Sequence, residues 1–130
     1  MIKIYSILFF LTLSLSASHI HWLGNYDSAL TLAKKEQKNL LVYLVKEGLP
    51  ACQQTIKESL MNQPYIQTLN DTFISVIVTY EGRVNYPVEL YYSQTFPALF
   101  FVESQHEHFL TAPLLGEEIT PKAIQRYLDE

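Results

Sequence analysis

The residue of this chain best equipped for chemistry is its single cysteine, Cys52. It closes the segment Gly48-Leu49-Pro50-Ala51-Cys52, between an apolar run, Leu40 to Val45, and a helix-like stretch, Gln53 to Met61. A thiol reacts as its thiolate, and the partial positive charge of a helix N-terminus lowers a thiol pKa. In a small α/β domain this strand-to-helix corner is where a redox C-x-x-C pair would sit. The first position of that pair is Leu49 here. Dithiol exchange needs one thiolate to attack and a second thiol to release the mixed disulfide. With one cysteine, that cycle cannot close inside the chain.

Three readings of Cys52 follow from its type and place. It can pack as a small apolar side chain, as free cysteines usually do. It can act as a monothiol that forms mixed disulfides with a partner or with glutathione. It can join two copies through an intermolecular disulfide. Burial decides among them.

Other polar constellations carry less. His19-x-His21 and His106-Glu107-His108 each place two imidazoles at alternating positions, with Glu103 near the second pair. Alternate residues of a strand share a face, yet no third ligand is fixed, and solvated turn and terminal residues are expected rather than a metal site. No Gly-rich phosphate loop, Ser-His-Asp arrangement of interpretable spacing or coiled-coil heptad is present, and no cofactor is expected. Glu117-Glu118 and Asp129-Glu130 read as solvated ends rather than as paired catalytic carboxylates. Tyr80, Tyr86, Tyr91 and Tyr92 crowd one long connection. Tyrosine suits interfaces, but packing of the loop over the sheet edge is the simpler expectation.

The elements that must position these residues lie behind a leader. Met1-Ile2-Lys3, the apolar run Ile4 to Leu15 and the small residues Ser14 to Ser18 form the pattern of a secretory signal peptide. A spanning helix needs roughly 20 apolar residues, and this run reaches only about a dozen. Residues 1–17 are expected to be a signal peptide cut after Ala17 or Ser18, with a retained anchor as the alternative, and residues 18–130 one domain. The expected destination is export, to the periplasm in a Gram-negative bacterium and otherwise to the outside of the cell as a secreted protein. After cleavage no membrane association is expected. About 112 residues remain, enough for one modest core.

The formal net charge is −4 and no cluster of Lys or Arg stands out, so a nucleic-acid partner is not expected. One cysteine makes no intramolecular bridge, so the core must hold the fold, and 48% of the residues are apolar.

The pattern predicts a helix capped by Asp27 and running to about Lys38, then a central strand, Leu40 to Val45, covered on both faces. Pro50 suits a helix's first turn, with Ile56, Leu60 and Met61 facing the core. A short turn or helix near Tyr65 to Leu69 precedes a strand, Thr72 to Thr79. Ala98 to Val102 and Phe109 to Ala112 read as paired strands. Thr120-Pro121 starts a last helix with Ile124, Tyr127 and Leu128 inward. The order α-β-α-β, then β-β-α, implies a mixed sheet with helices on both faces.

At this point the residues carry a resemblance. Over about residues 20 to 129 the chain resembles a thioredoxin-fold protein, in particular the exported thioredoxin-like group with a Trp-led first helix. The strand and corner Leu40 to Cys52 line up without a gap on the pattern of apolar strand, three residues and C-x-x-C. Thr95-Phe96-Pro97 before an apolar strand resembles the cis-proline loop that faces the redox corner, and Gly116 before the last helix also fits. The fold implied is α/β, a thioredoxin-like three-layer α/β/α sandwich with a mixed central sheet. In that register Leu49 takes the nucleophilic position and Cys52 the resolving one. Gly48 stands where a tryptophan often precedes the first cysteine, and Tyr43 stands where the family has its buried proton-transfer acid.

An active dithiol oxidoreductase is therefore not expected. The leading expectation is a non-catalytic binding or chaperone-like module among thiol proteins, with protein or peptide clients bound by a groove of Leu49, Phe96 and Pro97. The alternative is a monothiol redox partner acting through Cys52.

Overall fold

The computed structural model describes residues 18–80 and 86–130. The expected signal peptide and Gly82 of the long connection fall outside the described residues. Among those described, six strands and four helices follow the chain as β1 (Trp22–Leu23), α1 (Tyr26–Glu36), β2 (Asn39–Lys46), α2 (Pro50–Ser59), α3 (Ile66–Thr72), β3 (Phe73–Tyr80), β4 (Ala98–Glu103), β5 (His108–Phe109), β6 (Leu114–Leu115) and α4 (Pro121–Leu128). A 3-10 turn, Gly116–Glu118, joins β6 to α4.

The sheet runs β1-β3-β2-β4-β5, with β6 also on β4. β1 and β2 both pair parallel to β3, whereas β4 runs antiparallel to β2, β5 and β6. The sheet is therefore mixed, as the element order implies. Central β2 is buried from Leu40 to Leu44, which explains its uninterrupted apolar sequence. Its alternate residues feed two cores. Leu40, Val42 and Leu44 pack with Tyr26, Ala29 and Ala33 of α1. Leu41 and Tyr43 pack with Leu60, Ile66, Leu69 and Ile124 on the other face. Helices cover both faces, completing the three layers.

Several local expectations need correction. Asn25, not Asp27, caps α1: its extended backbone lets the side-chain oxygen accept the Ser28 N–H at 2.9 Å. Asp27 sits in the first turn, where its charge still suits the helix dipole. Trp22-Leu23 is not merely a lead-in but a strand beside Ser75 and Val76. The strand after β4 ends at Phe109 rather than Ala112, and Leu114-Leu115 forms a separate strand at the opposite end of β4. Pro113 lies between the two and has no N–H for the ladder.

Candidate functional site

Lys46 ends β2, and the chain turns at once into α2. Leu49 N–H donates to the Lys46 carbonyl at 3.3 Å, with Gly48 at φ +78°. That left-handed conformation suits glycine, which has no Cβ to clash, and it gives Gly48 a steric reason to stand here. Leu49 is the N-cap residue of α2, with no side-chain cap bond, and Pro50 opens the helix. Leu49 is 37% exposed, whereas Cys52, one turn in, is 5% exposed. The Cys52 Sγ lies 3.9 Å from the Lys46 carbonyl oxygen, a weak S–H···O contact.

Beneath the corner, the Tyr43 hydroxyl donates to the Cys52 carbonyl at 2.7 Å in a buried setting. Burial, and secondarily the nearby Cys52 thiol, push the Tyr43 hydroxyl well above its ordinary value. It stays protonated at ordinary pH and cannot accept a proton there. The Trp22 and Tyr43 rings lie 5.6 Å apart, so β1 supports this position from the side.

The facing loop is fixed from both sides. The Phe96–Pro97 peptide bond is cis. The Ser93 hydroxyl donates to the Thr95 carbonyl at 2.6 Å and accepts the Thr95 N–H at 3.0 Å. The Pro97 carbonyl accepts the Gly116 N–H at 2.7 Å. Between these anchors the Phe96 ring packs 5.0 Å from that of Tyr80, with Lys46 Nζ 5.8 Å from its centre. Among the described residues, neither the N–H nor the C=O of Phe96 has a hydrogen-bond partner.

The residues singled out in the sequence line two depressions. Phe96 and Pro97 line one of about 770 Å³, walled by Ala51, Thr55 and Glu58 of α2 and by Gly116 to Pro121. Leu49 and Cys52 line another, of about 540 Å³, with Val45, Ile56 and Ile77. Positions 51, 54, 55 and 58 share one face of α2, and 49, 52, 53 and 56 the next. The two depressions thus flank one helix along most of its length. The wall from Leu115 to Pro121 was not foreseen beyond Gly116, because it is distant in sequence from the corner. The i, i+3, i+4, i+7 series on α2 was the available signal.

The other candidates have local roles. The Tyr26 hydroxyl donates to Glu107 Oε1 at 2.8 Å and lies 2.8 Å from the Tyr91 hydroxyl. Glu107 thereby ties the β4–β5 turn to α1. Glu103 accepts the N–H groups of Gln105 and His106 and pairs with the His106 ring at 3.2 Å. Among the described residues, no group of three or more His, Cys, Asp or Glu is arranged to hold a metal. Tyr86 and Tyr91 are buried in the core, whereas Tyr92 is 60% exposed.

No family model matches this chain, and no curated protein matches it. Solved structures do. A thioredoxin from Thermus thermophilus in solution is 22% identical, with a TM-score of 0.65 over 85% of each chain. A DsbH oxidoreductase is 17% identical, with a TM-score of 0.67 over 88% of this chain and 85% of its own. The oxidised C-terminal domain of Neisseria meningitidis DsbD is 22% identical, with a TM-score of 0.54 over 79% of this chain and 90% of its own. At these identities the likeness is one of architecture, and it agrees with the parallel β1-β3-β2 sheet, the antiparallel β4 and the helices on both faces. The chain has a thioredoxin fold.

Proposed function

We propose that this is an exported thioredoxin-fold protein, with a signal peptide over residues 1–17 and a domain over 18–130, whose corner lacks the nucleophilic cysteine. It works as a non-catalytic binding or chaperone-like module for protein or peptide clients, thiol proteins among them. The observation that carries this reading is an exposed Leu49 at the N-cap of α2 paired with a buried Cys52. The exposed position holds no nucleophile, and the thiol one turn on is shielded. Phe96 and Pro97 supply apolar surface to a groove beside the corner, and the Phe96 backbone can pair with an extended chain by β-augmentation. Leu49→Asp and Phe96→Ala test the reading. Both should weaken binding of candidate client proteins, and unchanged binding in both would remove it.

A second reading rests on Cys52 lining the 540 Å³ depression with Leu49: a monothiol that exchanges with a partner's disulfide. Thiol titration of the native protein separates the two. A Cys52 that resists a thiol reagent until denaturant is added ends the monothiol reading.

A further inference from the structure

The 770 Å³ groove beside Phe96 and Pro97 has a charge pattern as well as a shape. Ala51, Phe96, Pro97 and Leu115 supply apolar surface to its lining. Its walls carry three exposed carboxylates, Glu58 from α2 and Glu117 and Glu118 from the 3-10 turn, and no Lys, Arg or His lines it. Glu118 Oε1 accepts the Leu115 N–H at 2.9 Å, and Glu58 Oε1 accepts the Gln54 amide at 2.9 Å. Each of these bonds occupies one carboxylate oxygen. Lys46, whose Nζ lies 5.8 Å from the centre of the Phe96 ring, lines the other depression.

We propose that this groove selects an extended peptide in which an apolar side chain is flanked by lysine or arginine. The inference rests on the peptide-binding reading and names its substrate class. A concave site lined by one sign of charge concentrates its field toward the ligand. A lysine or arginine stem can lie along Phe96 and Pro97 while its head reaches a wall carboxylate. There it forms a charge-assisted hydrogen bond, stronger than a neutral one. The same charge disfavours a second copy of this chain as occupant, because its formal net charge is −4.

The test uses the full domain and three fluorescent, cysteine-free peptides of equal length and apolar content, flanked by Lys, Gln or Glu. Absence of cysteine separates this binding from thiol exchange. At low salt the Lys peptide should bind about fivefold more tightly than the Glu peptide, the scale of a few exposed ion pairs. Added salt should narrow the gap, as should the double variant Glu58→Gln with Glu117→Gln, its fold checked by circular dichroism. Equal affinity for all three peptides would overturn the charge selectivity and leave the peptide-binding reading standing. No measurable binding of any peptide by the folded domain would overturn both.

Discussion

The Tyr43 hydroxyl holds the Cys52 carbonyl at 2.7 Å, joining the central strand to the first turn of α2 beneath the corner. A side chain that cannot take up a proton at ordinary pH here fastens the scaffold. The corner is thus kept in shape by a neutral hydrogen bond, without a disulfide. Tyr43→Phe removes that bond while keeping the ring. It should cost about 1 kcal/mol, the usual net worth of one hydrogen bond. Denaturant unfolding checks this, with no change expected in overall secondary structure.

Leu49→Cys places a thiol at the exposed N-cap position of α2, three residues before Cys52. Mild oxidation should then consume both thiols in an internal disulfide, read by thiol titration before and after reduction. Turnover of a disulfide substrate should stay slow, because Tyr43 cannot accept a proton at ordinary pH. Two thiols that remain free under oxidation would show that the corner departs from dithiol geometry by more than one residue.

Cys52 is 5% exposed and should label slowly in the native protein, then quickly once unfolded. Leu49→Ala opens the depression that the two residues share. It should speed native labelling with little loss of stability.

Gly116 and Gly48 both have positive φ, +54° and +78°. A Cβ on Gly116 would lie 2.9 Å from the Thr95 Cγ2, whereas one on Gly48 would meet nothing within 4 Å. Gly48→Ala should therefore cost about 1–2 kcal/mol from backbone strain alone. Gly116→Ala should cost more, since the Thr95 side chain must also move aside, and thermal unfolding of the two variants should rank them in that order.

High pH should unfold the domain. Burial pushes the Tyr65 hydroxyl up to about 12. Tyr91 also reaches about 12, chiefly by burial, with its Tyr26 hydrogen bond opposing and the Glu107 charge adding to the rise. Tyr26 and Tyr43 are raised further, chiefly by burial. A raised folded-state pKa means folding favours the neutral phenol, so its contribution is full below the unfolded value of about 10. That contribution is lost as pH climbs from there through about 12. The tyrosine contribution to unfolding free energy should be level from neutral pH up to that window and fall within it, with tyrosinate absorbance rising as the fold is lost.

Much of this architecture was legible because it depends on local pattern. Leu40 to Val45 is continuously apolar because β2 is covered on both faces, and Thr120-Pro121 marks the start of α4 because a cap and an N1 proline act within one turn. The resemblance placed Leu49, Cys52, Phe96 and Pro97 at the same end of the sheet. Two-residue strands such as β1 and β6 left no readable period, since their stability comes from the partner strand rather than from their own residues. Nothing in the sequence pointed to Tyr26, because the partners that draw it inward, Tyr91 and Glu107, lie far along the chain.

Sequence alone determined that the chain has one thiol and none at Leu49, and that limit on internal disulfide exchange holds in any conformation. Tertiary structure decided what becomes of the remaining thiol. It shields Cys52, ties its carbonyl to Tyr43 and places Leu49 and Phe96 in depressions on two faces of α2. Burial and groove shape arise from segments far apart in the chain, brought together by packing on a shared sheet, and no local pattern encodes those distances.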